Sequence, residues 1–242
     1  MGKEKKAKKQ KRERRRQETV FAYTDGSGGR KRFGWGVLIQ APAEKGYTCT
    51  GYCGHKAPRK KMANSSSAGE TEAALQAIRY ALNHGYRRLV LYYDFVGVAE
   101  WAVCFDRPTM PVASSYWQST MDLCAQGLTV EYRKVKAHSG NPGNVEADKL
   151  ATMGSQGKSI PISSQGLPIE AEIPDPPRVK KKRKAMIITA ATAGLAECRN
   201  AMRHLAIALD HMYGCGNTAR TGIDRLLEQL EVNSLQVRKH KG

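Results

Sequence analysis

The sequence predicts an α/β domain, a five-stranded mixed sheet flanked by helices, followed by a C-terminal helical extension. Three observations predict it. Short apolar runs and amphipathic stretches succeed one another as three strands, helix, strand, helices, strand, helix. A block made almost wholly of Lys, Arg and Glu, Gly2 to Gln17, stands before them and cannot bury apolar surface. Beyond them, apolar residues recur in steps of three and four.

Val20–Thr24 reads as a strand that ends on the turn-rich Asp25-Gly26-Ser27-Gly28-Gly29. Phe33–Gln40 and Tyr47–Cys53 read as two further strands, joined by a loop containing Pro42 and Gly46. The loop Asn64 to Gly69 is rich in helix-capping residues, and a helix runs from about Glu70 to Asn83, where His84-Gly85 ends it. Arg88–Tyr93 is a short apolar run of buried-strand type. Val96–Val103 is a short helix, Pro108 and Pro111 break the chain, and Ser114–Gln126 is helical. Leu128–Val135 alternates apolar and polar residues as a fifth strand, and a last helix follows Pro142. Residues 158–184 form a Pro/Ser/Gly linker ending in the basic cluster Arg178–Lys184. From Ile188 through Ala191, Leu195, Cys198, Met202, Leu205, Leu209 and Met212 runs a heptad-like seam, and Ile223, Leu226, Leu227 and Leu230 mark a second helix. The expected organisation is a disordered basic arm (1–18), an α/β domain (19–157), the linker (158–184) and a helical extension (185–242).

Composition bounds the function. The 242 residues carry a formal net charge of +18, which favours a polyanionic partner such as nucleic acid. No run approaches the ~18–20 apolar residues of a membrane-spanning helix, so no membrane association is expected. No apolar segment of signal-peptide type follows the charged start. The six scattered cysteines read as reduced thiols, which suits a cytoplasmic location, or a nuclear one if Arg178–Lys184 acts as an import signal rather than a phosphate contact. Cys49, Cys53 and His55 lack a second pair at zinc-finger spacing.

Several acids sit where structure alone explains them poorly. Asp25 ends a strand, and Asp94 directly follows the apolar run Leu89–Tyr93; a carboxylate at the end of a buried strand is costly unless paired or metal-bound. Helical phase places Glu70 in line with Ala74, Ala77 and Ala81, beside Leu75, Ile78 and Leu82, so it borders the core. Glu72 lines up with Gln76, Arg79 and Asn83 and is expected to be the solvated acid. Between Lys136 and Ala151 a strand leads into a Gly/Pro turn bearing His138, then a helix bearing an Asp.

These segments resemble type 1 ribonuclease H over about residues 19–157. The resemblance rests on Thr24-Asp25-Gly26-Ser27, on Glu70 followed by Ala73 and Ala74, on Asp94 after the fourth strand, and on His138, Asn144, Asp148, Leu150 and Ala151 in the family's spacing. It implies a ribonuclease H-like fold and a metal-dependent endonuclease that hydrolyses the RNA strand of RNA–DNA hybrids, leaving 5′-phosphate and 3′-hydroxyl ends. It implies two Mg²⁺ ions, with Mn²⁺ as a substitute, held by Asp25, Glu70, Asp94 and Asp148. His138 would assist proton movement or product release, Asn144 would orient its loop, and Ser27, Ser66, Ser67, Arg59, Lys60 and Lys61 would contact substrate. Ser66 and Ser67 stand where the family often has Asn or Gln, and the stretch Asp106–Ser115 carries only Arg107 where some members have a basic handle. The C-terminal helices match nothing in the family; they are expected either to fold back on the domain or to pair with a second chain, a second copy or a partner protein.

Overall fold

The computed structural model describes residues 18–28, 32–57, 65–104, 108–176, 186–189 and 192–194. The strands are β1 (Thr19–Ser27), β2 (Phe33–Pro42), β3 (Tyr47–Lys56), β4 (Arg88–Tyr93), β5 (Thr129–Lys134), β6 (Leu167–Pro168) and β7 (Met186–Ile188). The helices are α1 (Ser65–Asn83), α2 (Gly97–Val103), α3 (Pro111–Ala125) and α4 (Pro142–Ser155). The sheet order is β6-β3-β2-β1-β4-β5-β7. β1 pairs antiparallel with β2 and parallel with β4, so the sheet is mixed, as expected.

Two boundaries differ from the sequence reading in ways that matter for chemistry. Asp25, Gly26 and Ser27 are strand rather than turn: they pair with Gly36, Trp35 and Gly34. Helix α1 starts five residues before Glu70, so Ser66 and Ser67 lie in its first turns and Gly69 lies inside it. Gly69 would ordinarily weaken a helix, but here a Cβ would come 2.4 Å from the carbonyl oxygen of Gly34. Close packing selects that residue against its helix propensity. Pro111 opens a helix rather than breaking the chain, and Pro142 opens the last helix, because the first helical position has no intrahelical N–H bond to lose. Asn141 caps α4 by accepting from the backbone N–H of Asn144.

The two faces of the sheet are covered by different helices. Side chains alternate along a strand, and directly paired residues share a face. Gly26 lies against α1 and Gly36, the partner of Asp25, lies against α4. Hence α1 and α4 sit on opposite faces. On the α4 side the core holds Tyr23, Leu38, Cys53, Val90, Tyr92, Ala147 and Leu150. On the other, α1 packs on β1, β2 and α3, and α3 packs on α2.

The expected linker is corrected in its first part. Ile160 bridges to Cys53, β6 pairs with β3, and Ile160, Ile169 and Ile173 pack against the α4-side core. The carbonyl of Pro174 accepts from Gln40 Nε2 at 3.3 Å. The isoleucines scattered among Pro, Ser and Gly supply the apolar contacts that a composition average hides. β7 pairs with β5, and Ile188 is buried in the sheet rather than opening a helical seam. Both edges of the expected five-stranded sheet are thus covered by short strands, which hides their unpaired backbone groups. One compact unit extends to Ala193. The basic arm, the Arg178–Lys184 cluster and the remaining seam residues lie outside the described residues.

Candidate active site

The site forms where β1 and β4 end side by side. Their parallel register pairs Tyr23 with Tyr92, so two residues further on Asp25 lies beside Asp94. Tyr23 and Tyr92 stack with ring centroids 4.5 Å apart, and Thr24 Oγ1 donates to the Tyr92 carbonyl. These contacts lock the two strands just before the carboxylates. Glu70 arrives from α1, whose first turns lie almost backbone to backbone on β1: a Cβ on Gly26 would come 2.2 Å from the Glu70 nitrogen.

Ligand oxygens of Asp25, Glu70 and Asp94 all lie within 4.8 Å of one another. Asp25 and Glu70 are each only 7% exposed. Burial, and then the neighbouring Asp94 charge, push the Asp25 carboxyl up to about 7, although the backbone N–H of Gly26 donates to it at 2.7 Å. Burial and the charges of Asp25 and Asp94 push Glu70 up to about 10. Its Oε2 is buried and receives no hydrogen bond from the described residues. Such a cluster is unfavourable as three bare anions; a divalent cation would satisfy the orphaned oxygen and cancel the repulsion. An all-oxygen donor set suits a hard cation, so these residues fit Mg²⁺ or Mn²⁺.

The other expected residues fall around this cluster. Asp148 lies on α4, is exposed, and stands outside the three-acid group, yet its charge contributes to raising Asp25. Asn144 is buried and donates from Nδ2 to Asp94 Oδ2 at 3.1 Å, so it orients a carboxylate as well as capping geometry. His138 is exposed, with a backbone φ of 50° that places it in the left-handed region. Ser27 Oγ donates to Ser155 Oγ at 3.2 Å; Ser66 is exposed and Ser67 half-buried. Arg59, Lys60 and Lys61 lie outside the described residues.

One expectation is overturned. Glu72 is not solvated but 7% exposed. It does share the α1 stripe with Gln76 and Arg79, which bond to its Oε1 at 2.7 and 3.3 Å. Lys56 from β3 reaches its Oε2 at 2.6 Å and covers it. Helical phase defines the stripe but not the strand that lies against it. Among the described residues, Cys49, Cys53 and Cys124 form no disulfide, and neither Cys49 nor Cys53 joins a metal-ligand group.

The family profile for RNase H matches residues 17–156, more than half of the chain and all of the acids above. This chain belongs to the RNase H family. Ribonuclease H of Maricaulis maris is 28% identical over 151 residues, covering 56% of this chain and 93% of that protein. Ribonuclease H1 of Mus musculus is also 28% identical, over 152 residues, but this chain spans only 51% of its length. Among solved structures, RNase H1 from Halobacterium salinarum NRC-1 gives a TM-score of 0.47 at 16% identity, covering 57% of this chain and 98% of that one. LC11-RNase H1 in complex with RNA/DNA hybrid gives 0.46 at 15%, covering 57% and 96%. The RNase H chain described here is therefore a hydrolytic nuclease, with an acidic cluster suited to a metal ion at the end of its central strands. No helix among the described residues is long and apolar enough to cross a membrane.

Proposed function

We propose that this RNase H binds RNA–DNA hybrids and cleaves their RNA strand by a two-metal-ion mechanism, leaving 5′-phosphate and 3′-hydroxyl ends. The observation that carries the reading is the three-acid cluster, with Asp25 and Glu70 buried and one Glu70 oxygen unpartnered among the described residues, inside a chain of this family. When bound, two Mg²⁺ or Mn²⁺ ions supply electrostatic stabilisation of the attacking and leaving oxygens.

The residues act around that charge. Asp25, Glu70, Asp94 and Asp148 would hold the ions, Glu70 from the α1 side, where it would also read the 2′-hydroxyl of the RNA, and Asp148 from α4. Asn144 holds Asp94 in its ligating rotamer through the bond to Oδ2. His138, on an exposed loop, takes or delivers protons at the leaving 3′ oxygen and escorts product away. Ser27, Ser66 and Ser67 would offer hydroxyls to the sugar–phosphate backbone, while Arg59, Lys60 and Lys61 would supply phosphate contacts. The basic arm adds sequence-independent affinity.

The test is incubation of the chain with labelled RNA–DNA hybrid, double-stranded RNA and double-stranded DNA, with Mg²⁺, Mn²⁺ or chelator, beside Asp94→Asn. Hybrid cleavage that needs the cation and disappears in Asp94→Asn is expected. An intact hybrid with both cations overturns the reading.

A further inference from the structure

We propose that Lys56, Glu72 and Arg79 pin the axial position of α1 on the sheet, and so hold Glu70 inside the carboxylate cluster. The inference rests on the reading of Glu70 as a cation ligand.

The need for a pin comes from the contact itself. At their nearest approach α1 and β1 meet through Gly26 and Gly69, backbone to backbone. That stretch, next to Glu70, has no side-chain knob of its own to oppose sliding; the buried apolar side chains of α1, such as Ile78 and Tyr80, lie two to three turns further along. A shift of one residue moves a helical side chain by about 1.5 Å along the axis. That is a large fraction of the 4.8 Å within which the three ligand oxygens lie.

The network supplies what the glycines lack. Glu72 sits two residues after Glu70 on the same helix. Its Oε2 is held by Lys56 at the last position of β3, and its Oε1 by Gln76 and Arg79 further along α1. Within this network the Lys56 bond is the one that crosses from helix to sheet, two residues from Glu70, whereas the Tyr80–Tyr52 ring contact crosses further along α1. A buried ion pair of this kind is a poor source of net stability, because its desolvation cost rivals its attraction. It is directional, however, and fixes register in a way that apolar contact does not. The half-exposed Lys56 and Arg79 leave Glu72 as the one deeply buried member, so neutralising the Lys56–Glu72 pair together strands no buried charge.

The experiment compares the full-length chain with the double variant Lys56→Met/Glu72→Met and with Lys56→Arg, which keeps the charge. Thermal unfolding reads stability, calorimetric titration reads Mn²⁺ affinity, and steady-state cleavage of a hybrid separates kcat from KM. The double variant is expected to melt within a few degrees of the wild type. Its Mn²⁺ affinity and kcat are expected to fall about tenfold with KM little changed, as for loss of a group that orients a ligand. Lys56→Arg is expected to retain both. Should the double variant fail to fold, Glu72→Gln is the fallback, with an expected drop in Mn²⁺ affinity at near-wild-type melting. A folded variant that binds Mn²⁺ as tightly as the wild type overturns the pin alone. A wild-type chain that binds no Mn²⁺ removes the reading of Glu70 and the pin with it.

Discussion

Asn144 shows how one side chain serves structure and chemistry together. Its backbone N–H meets the cap Asn141, its Nδ2 meets Asp94, and its Oδ1 is buried with no partner among the described residues. Replacing it by Ala frees Asp94 to rotate. Asn144→Ala is expected to lower kcat about 10- to 100-fold with little change in hybrid affinity, as outer-sphere substitutions around metal sites do; steady-state kinetics at saturating Mg²⁺ checks it. The acids make a second, pH-linked expectation. Asp25 and Glu70 hold protons in the fold well above the ordinary carboxylate range, because burial and mutual repulsion penalise their charged forms. The cation-free folded state therefore binds more protons than the unfolded chain from about pH 4 upward, and its stability falls as pH rises toward and through 7. Melting of the chelated protein is expected to drop several degrees between pH 5 and pH 8, and Mg²⁺ to restore it most at pH 8. A flat chelated profile would count against the cluster's geometry.

Elements at the sheet's margins carry stability that the catalytic centre does not use. β5 holds a buried acid, Glu131, only 2% exposed. Burial alone would raise its carboxyl, but the guanidiniums of Arg88 and Arg133 overcome that and hold it below the ordinary range. Glu131→Gln removes the charge that both arginines face, at an expected cost of about 3 kcal/mol in urea unfolding, the lower end for buried pairs because Arg88 is partly solvated. The segment after α4 is the second such element. Ile162 and Ile188 are buried at 7% and 1% exposure, and burying two such side chains contributes about 3–6 kcal/mol. A chain truncated after Gly157 is expected to unfold at lower urea and to self-associate through the bared edges of β3 and β5. Equal stability and a monomeric truncation, read by urea titration and light scattering, would show that β6 and β7 contribute nothing.

Across the whole molecule the charge is divided unevenly. Residues 18–176 carry 17 Lys and Arg against 15 Asp and Glu, close to neutral, whereas residues 1–17 alone carry 10 basic and two acidic side chains. Much of the electrostatic attraction to a polyanion therefore resides outside the catalytic domain. Each neutralised phosphate adds about −0.7 to −0.9 to the slope of log K against log[salt], depending on strandedness. Deleting residues 1–17 is expected to flatten that slope for hybrid binding by several units while leaving turnover at saturation nearly unchanged. Fluorescence anisotropy across a salt series measures it, and an unchanged slope would remove the arm from the interface.

By itself the sequence determined the order of the central strands and helices, the two strand-end aspartates and the choice of Glu70 as the core-bordering acid. Those features depend on periodicity and on residues adjacent in the chain, which a local reading captures. Tertiary structure alone decided that Asp25–Ser27 is strand, since only the glycines of β2 across from it permit that pairing and the helix packing above it. It alone decided that Glu72 is buried, because its partner Lys56 comes from a different element. It alone decided that residues 160–174 lie along the sheet, because a few isoleucines find a core whose position no local window contains. The carboxylate centre was legible because Asp25 and Asp94 lie close to strand ends and helical phase sets Glu70 beside the core. What holds those acids in place was not, because the bonds that do so run between residues far apart in the chain.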